Sequence, residues 1–464
     1  MPNPDYLDFD LRLQKTAAAY QAVVVQSPAG NGSSDFTLPF TEEKLQIYLL
    51  QIGQRRRGVR RADSPGTAAA RELGTRLFES IFSGEVRDRW HQSLTEAARQ
   101  NRGLRLRLRL KNAPELADLP WEFLYDRESR EFVLLSAGTP LVHNLELPEA
   151  MRPLSVRPPL RVLVMVASPS DYEPLDVERE WTQLKQALEP LERQGLLAVD
   201  RLQKATLPAL QSQLRKGEYH IFHFIGHGGF ETADGPPEGI LLVEDDHGRG
   251  RKVPGRDLAI YLRDEDTLRL VVLNCCEGAR TSATDIFAGV AQTLSRRGVP
   301  AVIAMQFEIS DTAALCFAGE FYRALADGWP ADAALAEARK AIYGSGNLLE
   351  WGTPVLHLHA PDGRIFDLDR AAPAPPPNRT ATLLQEAEAA ARQEDWATTQ
   401  AKAEAVLALE PGHPAAAQVL ATARTEQALA RDYAEGQRHL DAGRWEEAVA
   451  SLQALVHTRP GYRD

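Results

Sequence analysis

Two short segments are apolar at nearly every position rather than at every second one. They are residues 219 to 230, YHIFHFIGHGGF, and residues 268 to 280, LRLVVLNCCEGAR. A strand with one wet face alternates. A strand this uniformly rich in Val, Ile, Leu and Phe needs cover on both sides, which is what crossover helices give a parallel sheet. Each run then breaks into small and polar residues: Gly226, His227, Gly228 and Gly229 after the first, and Asn274, Cys275, Cys276, Glu277 and Gly278 after the second. Open α/β sheets form their ligand crevice at the carboxyl ends of their strands. A base and a thiol are therefore expected to meet there.

The surrounding sequence supplies the rest of such a sheet. LRVLVMVAS starts it, VEREWTQLKQALEPLERQG and LPALQSQLRKG carry helical spacing, and the His227 strand follows. GILLVED adds a strand, RDLAIYLRD a short helix, then the Cys276 strand, the helix DIFAGVAQTLSRRG and the strand PAVIAMQF. Strands alternating with helices call for parallel pairing and right-handed crossovers. GGFETADGPPEG, just past His227, is rich enough in Gly and Pro to be a mobile loop over the cleft.

A thiol is intrinsically nucleophilic but mostly protonated at neutral pH, so an imidazole beside it favours thiolate and can protonate a leaving amine. Glycines after the histidine let backbone approach a substrate closely. The amides of Gly228 and Cys276 are the candidate donors to a developing oxyanion. Losing one such donor typically costs a factor of ~100 to 1,000 in turnover. Two other chemistries fail on spacing: Arg280 comes one position too early after Cys275 for a Cys-x5-Arg phosphatase loop, and no GxxxxGK segment is present. His223 and His227 share a strand face but lie about 13 Å apart at the usual rise, too far to hold one metal. No metal or organic cofactor is expected.

HFIGHGG followed by VVLNCCEGAR, then AVIAMQFEISDTAA and WGTPVLHLHAPDG, closely resembles the CHAT domain. This is a bacterial relative of caspases and separase often found beside tetratricopeptide repeats. The resemblance covers roughly residues 100 to 368. It implies a caspase-like α/β core with His227 as catalytic histidine and Cys276 as nucleophile; Cys275 fills a place where the family usually has a small residue. It also implies a cysteine endopeptidase acting on a protein substrate, with a role in bacterial defence, stress or cell death. In separase-like relatives an acidic residue after the nucleophile strand reads a basic P1 side chain. Asp311 is the first candidate for that role, Glu308 the second, and Glu277 could also line the cleft. Against this, Ser310 and Asp311 equally suit the N-terminus of the helix TAALCFAGEFYRALADG. A catalytically silent scaffold using the same fold for protein binding is the alternative.

Ahead of the core, DFDLRL, YQAVVV and DFTLPF read as strands, EEKLQIYLLQIG and TAAARELGTRLFESIF as helices, and LRLRLRLK as a strand with one wet face. After the core, RAAPAPPPNRTAT is an extended linker. Trp396 and Pro411, then Trp445 and Pro460, repeat one separation within a helical tail, which fits degenerate tetratricopeptide-like copies with an extra helical segment between them. The expected organisation is an α+β N-terminal accessory lobe over 1–155, the protease core over 156–368, a linker over 369–382 and a helical repeat region over 383–464. The tail is the expected docking surface for a regulatory protein. The last residues, RPGYRD, directly follow a repeat's final proline, which suggests docking on another surface or a C-terminal truncation.

Three cysteines, two of them adjacent, give no disulfide framework. The first residues lack the pattern of a signal peptide, and no apolar run reaches the ~18 residues of a membrane span. A cytoplasmic protein is the expectation. The net charge of −11 argues against general nucleic-acid binding, and the basic run QRRRGVRR at 54 to 61 reads as a solvated face or docking surface.

Overall fold

The uninterrupted apolar runs become the centre of one large sheet in the computed structural model. It describes residues 4–17, 19–53, 64–144, 151–231, 238–275, 288–369 and 379–462. The chain divides into two compact units, Met1–Asp369 and Arg370–Asp464. The first begins with β1 (Tyr6–Lys15), β2 (Tyr20–Gln26), β3 (Gly32–Phe36), α1 (Glu42–Gly53), α2 (Pro65–Ile81), α3 (Gly84–Arg99) and β4 (Gly103–Asn112). A two-residue hairpin follows, β5 (Tyr125–Asp126) with β6 (Glu131–Phe132), then β7 (Leu141–Asn144) and β8 (Leu154–Val156).

The alternating part comes next: β9 (Leu160–Val166), α4 (Val177–Arg193), β10 (Leu197–Arg201), α5 (Leu207–Leu214) and β11 (Ile221–Gly226). After it come β12 (Gly228–Glu231), β13 (Glu238–Glu244), β14 (Gly250–Pro254), α6 (Gly255–Leu262), β15 (Leu270–Cys275) and α7 (Ala288–Arg296). The unit ends with β16 (Ala301–Met305), α8 (Asp311–Ala326), α9 (Ala331–Gly344), β17 (Pro354–Leu358) and β18 (Phe366–Leu368).

Eleven strands make one sheet in the order β10-β9-β11-β15-β16-β17-β7-β4-β1-β2-β3. From β10 to β16 all pairs are parallel, and β17 runs antiparallel to β16. β17 pairs in parallel with β7, β7 with β4 and β4 with β1, so strands from both sides of residue 155 share the sheet. One face, carrying Val162, Val164, Ile221, Val272 and Ile303, packs in the core of α4, α8 and α9; the other, carrying Leu163, Met165, Phe222, Phe224 and Leu273, packs under α5, α6 and α7.

Three expectations change. GILLVED does not join the large sheet: β13 pairs antiparallel with β12 and β14 in a small sheet of its own, because β12 starts straight after His227 and offers it a near partner. That pairing also puts both ends of the expected mobile loop into strands; its middle, 232–237, lies outside the described residues. The arginine face of β4 is not wet. Arg105, Arg107 and Arg109 keep only 5%, 18% and 20% of their side-chain surface exposed, and all three reach carboxylates on β1 or α9. Alternation read along one strand shows which residues share a face but not what covers it. The helix α3 was unread, although Val86, Trp90, Ser93 and Ala97 line its buried side at helical spacing.

The second unit is four consecutive helices, α10 (Arg379–Arg392), α11 (Trp396–Leu409), α12 (Pro414–Asp441) and α13 (Trp445–Thr458), each packed on the next. Trp396 and Trp445 open α11 and α13, and the expected extra segment is part of the 28-residue α12. Ala387, Ala403 and Leu420 form its small core with Leu407 and Val419. No helix among the described residues is long and apolar enough to cross a membrane.

Candidate active site

β11 lies between β9 and β15, so its carboxyl end faces the loops that leave two neighbours. The chain passes from β9 outward to β10 and returns on the other side at β11; a crevice opens where strand order reverses in this way. β11 and β15 are in register, Ile225 beside Asn274 and Gly226 beside Cys275. His227 comes directly after that last pair. Gly226 leaves little room for a side chain, since a Cβ would sit 2.8 Å from Phe224 Cζ and 3.1 Å from the Ala167 carbonyl oxygen and one of them would have to shift.

His227 is buried, with 4% of its surface exposed. Its Nε2 lies 2.8 Å from the Glu173 carbonyl oxygen. A carbonyl can only accept, so Nε2 carries the proton and Nδ1 keeps the lone pair of the neutral ring. The Tyr172 ring lies 6.5 Å from the imidazole, centroid to centroid. The His227 carbonyl accepts from Leu242 N at 3.0 Å. That makes His227 and Leu242 a hydrogen-bonded pair, so the next pair, Gly228 with Leu241, is of the other kind and the Gly228 amide points away from β13. Cys276 and Glu277 lie outside the described residues.

The acidic candidates follow β16, the strand beside β15. Gln306 is fixed through Nε2, which donates to Glu122 at 3.1 Å and to the Gly352 carbonyl at 2.7 Å. Four residues on, Ser310 N donates to Glu350 at 2.9 Å, and its hydroxyl caps α8 by accepting from Ala313 N. The segment is thus pinned at both ends, with half-buried Glu308 between them. Asp311 opens α8. Its carboxylate pairs with Arg179 of α4 and accepts from Gln183 Nε2 at 3.4 Å.

Two further histidines, His220 just before β11 and His223 within it, are bonded inside the fold. His220 Nδ1 accepts from Arg161 N at 2.9 Å, and burial lowers its pKa. His223 Nδ1 meets the Tyr322 hydroxyl at 2.8 Å, and burial pushes its pKa down to about 3, which keeps the ring neutral. Among the described residues no group of three or more His, Cys, Asp or Glu could hold a metal ion. What sequence reading missed is the loop from Ala167 to Asp176. Its contribution is a backbone carbonyl, which every residue type carries, so no side chain could have announced it.

A CHAT domain family model matches residues 67–401. No curated protein matches the chain. Among solved structures, the Saccharomyces cerevisiae separase–securin complex is similar at 13% identity and TM-score 0.32, over 68% of this chain and 20% of that one. A crystal structure of a Geobacter sulfurreducens protein is similar at 13% identity and TM-score 0.21, over 38% of this chain and 83% of that one. The chain thus spans about a fifth of the separase chain. With the family model running over most of its length and across both strand-end motifs, the chain belongs to the CHAT domain family.

Proposed function

We propose that this protein is a cysteine endopeptidase working through His227 and Cys276. The observation that carries the reading is the Nε2–H bond from His227 to the Glu173 carbonyl, which leaves Nδ1 as the base. The base stands at the end of β11, beside the end of β15 where Cys276 follows. Strand parity supports the choice of thiol. Val272 and His223 are register partners, and Asn274 continues their face of the sheet. Counted along the sequence alone, position 276 has the parity of Val272 and Asn274 and position 275 the other.

In this reading Nδ1 takes the proton of the Cys276 thiol, and the thiolate forms a bond to the scissile carbonyl carbon. Its oxygen takes the negative charge, held by the amides of Gly228 and Cys276. The C–N bond breaks as the imidazolium returns the proton to the leaving amine. Water, deprotonated by His227, then attacks the thioester. The carboxylate product leaves and the thiol is regenerated.

A basic P1 side chain would meet Glu308 or Asp311, with Glu277 as a further lining residue; at Asp311 it would compete with Arg179. The helical unit, read as tetratricopeptide-like, offers a partner surface on α13, where Trp445, Val449 and Val456 are 66%, 52% and 53% exposed. The family resemblance supports a role in bacterial defence, stress or cell-death signalling. The test is to mix wild type, Cys276→Ala and His227→Ala with a proteome lysate and map new N-termini by mass spectrometry. Cleavages confined to wild type are expected, and their P1 residues read the pocket. An unreactive Cys276 and no new termini would instead mark a scaffold.

A further inference from the structure

His227 is held by a carbonyl on a loop, and that loop is itself held by a distant turn. The loop leaves β9 at Ala167, whose amide donates to the Ile225 carbonyl at 2.9 Å, and enters α4 through Asp176, whose carboxylate accepts from Arg179 N at 3.1 Å. Between these ends residues 170 to 174 are exposed. Exposed loops of this kind do not keep one carbonyl aimed at one ring without ties.

Four ties are present. The Ser168 hydroxyl accepts from Leu175 N at 2.8 Å and closes the loop on itself. Ser168 N donates to Glu244 at the end of β13 at 3.1 Å. Ser170 N donates to the Gly248 carbonyl at 2.8 Å, and Gly250 N donates to Asp171 Oδ1 at 2.6 Å. The Tyr172 ring edge lies close to Gly250: a Cβ there would be 2.3 Å from Tyr172 Cε2. The turn from Glu244 to Gly250 therefore grips the loop at three points.

The same small sheet begins at Gly228, immediately after His227, so it holds the imidazole from both sides, by chain continuity and through the gripped loop. Asp245, within the turn, accepts from His247 N and Arg249 N, both at 2.8 Å, and keeps the turn in shape.

We propose that Ser168, Asp171 and Glu244 are positioning residues for His227, anchoring the loop whose Glu173 carbonyl sets the ring's tautomer and direction. This rests on the dyad reading above.

The experiment follows alkylation of Cys276 by iodoacetamide against pH in the full-length protein, with the modified residue located by mass spectrometry. A dyad gives wild type a midpoint below the ~8.5 of a free thiol, and His227→Ala raises it. Asp171→Ala and Ser168→Ala are expected to move the midpoint toward that of His227→Ala and to slow alkylation at neutral pH about tenfold, the scale of a slightly misplaced catalytic group. Asp171→Asn keeps an oxygen for Gly250 N and Ser168→Thr keeps a hydroxyl for Leu175 N; both are expected to restore the wild-type profile. Unfolded protein would react with the free-thiol midpoint, so only variants that circular dichroism and thermal melting show to keep the wild-type fold are compared, and a midpoint shift in a folded variant is the readout. Wild-type midpoints in both alanine variants, beside a shifted His227→Ala, would overturn the positioning role and leave the dyad standing. An unshifted His227→Ala would overturn the dyad and this inference with it.

Discussion

At the scale of single residues, two adjacent cysteines pose a question that strand parity answers. In β15 Val272 is the register partner of His223, while Val271 and Leu273 pack in the core on the other face; counted along the sequence, position 276 has the parity of Val272 and position 275 that of Val271. Cys275→Ala is therefore expected to keep turnover within a few-fold, whereas Cys276→Ala removes it and His227→Ala lowers it by ~10²–10⁴, the usual weight of a general acid–base. Active-site titration beside initial rates checks all three. Full activity in Cys276→Ala, or its loss in Cys275→Ala alone, would move the nucleophile by one residue. His227 and its glycines were legible because the chemistry needs those residue types at a strand end. The Glu173 carbonyl was not, because its usefulness depends on where the loop lies and nothing in its side chain encodes that.

At the scale of elements, the strands were legible wherever one strand's own pattern decided the matter, as in β9, β11 and β16. They were not where a partner decided it. Arg105 alternates with leucines as a wet-face residue would, yet it is buried against Asp332 of α9, which is fully buried, at 2.5 Å, with Asp8 of β1 at 3.2 Å. Burial alone lowers the Arg105 pKa, but the pull of Asp332 and Asp8 outweighs it and the pKa ends raised. The guanidinium also donates to the carbonyls of Pro361 and Asp362, tying β4 to the loop before β18. Arg105→Ala would strand a buried carboxylate and is expected to cost about 3–5 kcal/mol. Removing both charges with Arg105→Met and Asp332→Asn should recover most of that loss. Urea unfolding of the single and double variants reads the difference, and equal losses in both would mean that packing rather than charge is what Arg105 supplies.

At the scale of the whole molecule, buried histidines make stability depend on pH in a calculable direction. His223 is held neutral with its pKa pushed down to about 3 by burial. His357 is pushed well below its ordinary value by burial first, then by His143, His359 and Arg296. In the unfolded chain both titrate near 6.5. Above that value neither state is protonated and their contribution is complete. Below it the unfolded chain binds protons that the folded chain refuses, so stability falls with pH until the folded pKa is reached. From pH 8 to pH 5, above the range where most carboxylates titrate, the loss is about 2 kcal/mol for each site. Guanidinium unfolding at several pH values is expected to show that loss, and His223→Gln to remove about half of it. His357 sharpens the test, because neither ring nitrogen has a hydrogen-bond partner among the described residues. An orphaned buried polar group costs about 1–3 kcal/mol, so His357→Phe should match or exceed wild-type stability at pH 8 and flatten the acid slope as well. A slope unchanged when His223→Gln and His357→Phe are combined would mean that acid sensitivity arises elsewhere, and that β11 and β17 keep these rings for a reason unrelated to their charge.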